Sequence, residues 1–186
     1  MLDMKELIEL TLHYGGEYGL NHTKRILKII DFIGEKYSYN REVVDIAAYL
    51  HDWGGYAPWK KENVDHAIRS AEAAREYLGE RFINEDHIKH ILECIENHHN
   101  GRKNKSIEAR LLSDADGIDF IGTIGFAREF STKPRELKKA FESAKARIDK
   151  VKAVICIEES EPIVKERIER MTLLFKQFEE ETWGLF

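Results

Sequence analysis

The chain's 186 residues are enough for one domain with a sizeable hydrophobic core, and 42% hydrophobic with 34% charged residues describe a globular, helix-rich protein. A formal net charge of −5 offers no basic footprint, which argues against bulk nucleic acid as a partner while leaving room for a local basic pocket. Two distant cysteines (Cys94 and Cys156), no signal-peptide pattern at the start and no run near the ~20 apolar residues of a membrane span predict a reducing, cytoplasmic setting without a membrane partner.

Three prolines leave room for long helices and no stretch alternates like a strand, so the predicted fold class is all-α. The first helix starts after Asp3 and ends near Gly15-Gly16. The second runs from about Asn21 to Tyr37, with His22, Ile26, Ile29 and Ile33 on one inward side. A third, from about Arg41, carries Val44, Ala47 and Ala48 beneath His51 and stops at Gly54-Gly55. Trp53 to Val64 reads as a loop, after which Asp65 caps a helix with His66 in its first turn and Ile68, Ala71 and Leu78 behind it. Asn84 caps the next helix, through Asn97, on an apolar face of Ile88, Ile91, Leu92 and Ile95. Its wheel places His99 near the centre of that face, His98 toward the edge and His90 on the opposite side. Asn100 to Lys105 is a basic polar loop.

A long helix from about Ser106 to Phe130 then holds Asp114, Asp116 and Asp119, with Gly122 and Gly125 read as close-packing sites rather than breaks. Pro134 opens a helix reaching about Glu158. Pro162 opens the last, to about Glu181, whose Ile163, Ile168, Met171, Leu174, Phe175 and Phe178 are core. With no repeat, linker or low-complexity tract, residues 1–186 are predicted to form one domain, and the closing Trp183-Gly184-Leu185-Phe186 is a candidate homodimer contact.

Six of the eight histidines fall between His51 and His99, and several share inward faces with acidic residues. A buried imidazole or carboxylate left unpaired costs on the order of a few kcal/mol, and one divalent ion can partner several at once. Imidazoles with carboxylates suit Mn, Fe, Co, Ni, Zn or Mg alike.

The order of these residues resembles the HD-domain superfamily of metal-dependent phosphohydrolases, over roughly residues 18 to 130. That family shows a histidine on an early helix, a His-Asp doublet ending a later one and an aspartate well downstream. Here these match His22 in Asn21-His22-Thr23-Lys24-Arg25, the doublet in Leu50-His51-Asp52, and Asp116 in Asp114-Ala115-Asp116-Gly117-Ile118-Asp119. The resemblance implies a helical bundle in which His22, His51, Asp52 and Asp116 hold a metal ion, with Asp52 as the catalytic carboxylate. Asp114 and Asp116 diverge by roughly 160 to 200 degrees on a helix, so regular geometry cannot bring both to one ion. The family's small residue before the ligand favours Asp116. Asp114 is then left to pair with a cation or cap a helix, and Asp119 to orient a ligand or touch substrate.

Members with two metals, including the HD-GYP phosphodiesterases, add a histidine opening the next helix and a His-His pair after it. His66 and the pair His98-His99 occupy corresponding places, implying a second ion bridged to the first by Asp52; His13, His87 and His90 are assigned to surface or packing. Two departures matter. No carboxylate follows the doublet until Glu62, so water activation falls to the metals. Asn100-Gly101-Arg102-Lys103 replaces the Gly-Tyr-Pro element, which argues against a cyclic-di-GMP phosphodiesterase.

The implied activity is hydrolysis of a phosphomonoester or phosphodiester of a nucleotide-like small molecule. Phosphate recognition draws on Lys24 and Arg25 beside His22 and on Lys60, Lys61, Arg102, Lys103 and Lys105 in loops, while Tyr56 and Trp59 either stack on a base or cover the core. The rival readings are a regulatory module that binds metal and nucleotide without turnover, and an HD-type oxygenase with a di-iron site.

Overall fold

A computed structural model describes residues 2–81, 84–103 and 106–186, apart from the side chain of Arg102, and among them every regular element is helical. Helix α1 (Met4–Ile33) begins under an Asp3 cap, whose carboxylate accepts from the backbone N–H of Lys5 at 2.9 Å. It joins the two helices expected there across a kink at Gly16, where φ is 61° and only glycine is at ease. Helix α2 (Arg41–Leu50) is capped by Asn40 and stops before the glycines; Trp53–Gly55 form a separate short turn. Helix α3 (His66–Gly79) starts under Asp65, and α4 (Glu85–Glu96) under Asn84. The inner face of α3 is Ala67, Ala71, Ala74 and Leu78, so Ile68, expected behind His66, instead projects outward and is 54% exposed.

The helix expected from Ser106 to Phe130 is two: α5 (Ile107–Asp119), capped by Ser106, and α6 (Gly122–Thr132). The break falls at Gly122, which takes φ 77° and lies so close to Arg167 that an added Cβ would sit 3.1 Å from its side chain. Gly125 is a close-packing site as expected, against the Phe120 carbonyl. Helix α7 (Leu137–Val154) starts after Pro134 and ends before Glu158, because the carboxylate of Asp114 takes the N–H groups of Cys156 (3.0 Å) and Ile157 (2.9 Å) out of helical bonding. Helix α8 (Ser160–Thr182) carries Pro162 in its first turn, where a missing N–H costs nothing.

Helix α1 packs on α2 and α5, α2 on α4, and α3 on α4 and the Trp53 turn. Ile26, Ile30, Ile33, Leu50, Ile95 and Leu111 are fully covered where these helices meet, each burial contributing roughly 1.5–3 kcal/mol. Helices α6, α7 and α8 form a layer around Phe126, Phe141, Phe175 and Phe178, to which Phe186 adds its ring, while Trp183 and Leu185 remain exposed. Cys94 and Cys156 are free thiols, and no described helix is long and apolar enough to cross a membrane.

Candidate metal centre

Three helices deliver polar residues to one point inside this core. His22 comes from the middle of α1, His51 from the residue capping α2, and Asp116 from the last turn of α5; all three are buried. Asp52 follows His51 into the turn at the end of α2. His22 Nε2 lies 3.1 Å from Asp116 Oδ1 and 3.6 Å from Asp52 Oδ2, and His51 Nε2 lies 3.6 Å from Asp52 Oδ2.

The outer nitrogens of the rings determine what the inner ones can do. His51 Nδ1 is 2.7 Å from the Ala48 carbonyl and His98 Nδ1 is 2.6 Å from the Ile95 carbonyl. A carbonyl can only accept, so each Nδ1 carries the proton and each Nε2 presents a lone pair inward. His22 Nδ1 similarly faces the Asp119 carboxylate at 2.7 Å. Among the described residues, His51 Nε2 is buried without a hydrogen-bond partner, and His22 Nε2 and Asp116 Oδ1 have only each other, at 3.1 Å and without hydrogen-bond alignment. Poorly paired burial costs about 1–3 kcal/mol per group, so such atoms converging on one point call for a shared partner. Imidazole lone pairs with carboxylate oxygens fit a divalent first-row ion.

A second group lies alongside. His66, in the first turn of α3, has its Nε2 3.3 Å from His98 Nε2 and 3.0 Å from His99 Nε2. These three nitrogens could hold an ion, as could His22, His51 and Asp52. Asp52 touches both groups, since its Oδ1 is 3.8 Å from His66 Nε2. The expected placement of His98 and His99 is reversed: His98 is buried, whereas the His99 side chain is 47% exposed, with Nδ1 3.6 Å from Asp116 Oδ2. Helix α4 ends at Glu96, so the two residues leave the helical wheel used to project them.

The electrostatics differ between the groups. Burial opposes a charged His22, but the carboxylates of Asp116 and Asp119 beside it raise its pKa to about 9. Burial likewise opposes an ionised Asp52, yet His51 and His22 bring it to about 2, and Asp116 is also held well below the usual carboxylate range. Burial and the neighbouring His99 and His51 depress His98 to about 3. Asp119 is buried among cations: Arg25 donates to both its oxygens at 2.6 and 2.8 Å, and Arg128 to one of them.

The other expected residues divide. Arg25 reaches the site only through Asp119. Lys24, Lys60, Glu62 and Lys103 are exposed, Lys61 pairs with Glu72, and the side chain of Arg102 and the whole of Lys105 lie outside the described residues. Trp59 packs against Trp53 and Tyr14, and Tyr56 wedges against Gly15 and Gly19 of α1 with its hydroxyl 3.5 Å from Asp52, so both cover the core. His90 pairs with Glu108, His87 with Asn40, and His13 lies edge-on to Tyr14. A cavity of about 450 Å³ opens beside Asp116 and His99, walled by Phe120 and by Arg147, Lys150, Val151 and Val154 of α7. Sequence reasoning missed Arg128, Arg147 and Lys150; only the one-turn spacing of the last two could have hinted at a shared face.

The family model of the HD domain matches residues 19–121. Ribonuclease Y of Mycoplasma mycoides subsp. mycoides is 31% identical over 118 residues, which are 61% of this chain and 21% of the ribonuclease. The uncharacterized protein YpgQ of Bacillus subtilis is 28% identical over 113 residues, 59% of this chain and 54% of YpgQ, so the match spans about half or less of these curated relatives. The crystal structure of YpgQ in complex with ADP superposes with a TM-score of 0.73 at 20% identity, covering 96% of this chain and 97% of that one. A HD-superfamily hydrolase from Bacillus thuringiensis gives 0.71 at 23% identity, covering 98% and 97%. At such identities the likeness is one of fold.

Proposed function

The chain belongs to the HD-domain family, and we propose that it hydrolyses a phosphomonoester or phosphodiester of a nucleotide-like small molecule with one or two divalent metal ions. The observation that carries this reading is the convergence of buried His22 Nε2, His51 Nε2 and Asp116 Oδ1 beside a carboxylate that also touches a second histidine group. His22, His51, Asp52 and Asp116 would hold one ion; His66, His98 and His99 would share Asp52 in holding another. Bound there, divalent ions supply a lowered pKa for water and neutralisation of phosphoryl oxygens.

The chain's own residues do the preparation. Asp119 and the carbonyls of Ala48 and Ile95 take the Nδ1 protons of His22, His51 and His98 and aim the ring lone pairs inward. Of the two carboxylates that could serve as base, Glu62 is an exposed residue of the loop and Asp119 is saturated by Arg25, Arg128 and His22. The ADP in the YpgQ complex supports a nucleotide-like substrate, and a cavity of about 450 Å³ suits a small organic molecule.

Metal analysis of purified protein by inductively coupled plasma, followed by a phosphate-release screen over nucleotides and simple phosphoesters, tests the proposal. Phosphate release that depends on added metal is the expected result. Iron with oxygen uptake would favour the oxygenase reading, and tight nucleotide binding without turnover the regulatory one.

A further inference from the structure

Of the loop cations anticipated for phosphate, the described ones (Lys60, Lys61 and Lys103) are exposed, while Arg25 of α1 and Arg128 of α6 are bound to Asp119 and Arg147 and Lys150 of α7 line the cavity. Arg147 lies on the cavity wall with its Nε and Nη2 committed to Glu129 Oε1 at 3.2 and 2.9 Å. Its guanidinium also lies 4.5 Å from the centre of the Phe120 ring, which Arg128 approaches at 4.3 Å. Glu129 is itself buried, and its other oxygen accepts from Lys133 at 2.5 Å and Ser143 at 2.8 Å. The Arg147 side chain is thus fixed on two sides while remaining 30% exposed, and its Nη1 makes no hydrogen bond among the described residues. Lys150, one turn further along α7, stands on the same wall.

Charge counting gives the same direction. The charged residues of the cavity lining are Arg147, Lys150 and Asp116, while Arg25, Arg128 and Lys133 stand behind it on Asp119 and Glu129. In a chain with a net charge of −5, this wall of the cavity carries two cations and no carboxylate of its own helix. A cavity with metal-binding side chains on one wall and a held guanidinium on the other suits an anion spanning both.

We propose that Arg147, positioned by Glu129 and assisted by Lys150, is the anion-recognition arm of the site, binding phosphate oxygens of the substrate from the wall opposite the metal ligands. This rests on the hydrolase reading. Glu129 is a positioning residue: it touches Arg147 and lies outside the cavity lining.

The test uses the Mn-loaded full chain, p-nitrophenyl phosphate and bis-p-nitrophenyl phosphate as substrates, and inorganic phosphate as competing ligand. Arg147→Ala should raise KM and weaken phosphate inhibition about 10- to 100-fold, with kcat within a few-fold of wild type and metal content unchanged. Arg147→Lys should recover part of the loss. Glu129→Gln should raise KM by a smaller factor without lowering kcat in proportion, a split that a purely structural strut between α6 and α7 would not produce. If Arg147→Ala is too unstable to assay, Arg147→Lys and Glu129→Gln carry the same comparison. Wild-type KM and phosphate inhibition in these variants, or a fall in kcat alone, overturns the arm and leaves the hydrolase reading standing. A metal-loaded wild type that neither binds phosphate nor cleaves either ester brings down both.

Discussion

The two histidine groups that share Asp52 are built to different standards. His22 and His51 are buried, their outer nitrogens tied to Asp119 and to the Ala48 carbonyl, and Asp116 sits between their inner nitrogens. His66 and His99 are partly open to solvent, and of their group only His98 is buried and anchored, through the Ile95 carbonyl. Rigid, desolvated ligands lose little entropy on binding an ion, whereas exposed ones must be ordered as it arrives. The first group should therefore fill more tightly than the second.

The most severe disturbance of that contrast is at the shared residue. Asp52→Ala should empty both groups and abolish activity, while His51→Ala should empty the first; circular dichroism should show most of the helix content retained, since the apolar contacts between the helices stay in place. Either variant keeping full metal content and turnover would refute the site. Next come the two aspartates. Asp116→Asn should cut activity severely, whereas Asp114→Asn should leave metal content intact and instead cost about 1–3 kcal/mol of stability, because Asp114 holds the backbone of Cys156 and Ile157. Denaturant melts beside metal analysis separate the two, and a metal-free Asp114→Asn with an intact Asp116→Asn would reverse the assignment.

Smaller effects sharpen the comparison. Asp119→Asn, which touches only the first group, should weaken its metal affinity roughly 10- to 100-fold. His66→Ala should lower occupancy of the second position alone, and calorimetric titration with Mn²⁺ that showed equal loss at both would contradict the division. The smallest signature is in pH. In chelator-stripped protein His22 is raised to about 9, so its stabilising contribution is present below the ordinary histidine value near 6.5 and lost as pH climbs through 9. His98 is depressed to about 3, so stability falls as pH drops from 6.5 toward 3, because the unfolded chain takes up a proton that the folded one refuses. Thermal midpoints should peak between these limbs, and His22→Gln and His98→Gln should each flatten only its own side.

Most helices could be located from the chain itself, since Asp3, Asn40, Asp65, Asn84 and Ser106 cap helices where their side chains suggest it and the apolar periods run on from each. The ordered histidines and aspartates likewise converge as their sequence order implies. What escaped was local termination and long-range pairing. Nothing in the period around Gly122 distinguishes a packed glycine from one with positive φ, and projecting His98 and His99 past Glu96 extended a helix that had already ended. Arg128 lies against the His22 ring across 106 residues and Arg147 is held by Glu129, and contacts of that kind leave no trace in spacing.

Three of the helices that carry the proposed ligands, α2, α4 and α5, present their C-terminal ends to the centre, where aligned peptide dipoles leave a partial negative charge of about half an electron each. Without an ion these ends and the two carboxylates crowd like charge into a buried space. A divalent cation held there, as proposed, would clamp the bundle as well as serve the reaction. Binding only the folded state, it should stabilise the chain by about 2.7 kcal/mol at a hundredfold excess over its dissociation constant. Chelation should abolish activity and lower the melting temperature of the whole bundle while leaving it folded at ordinary temperature.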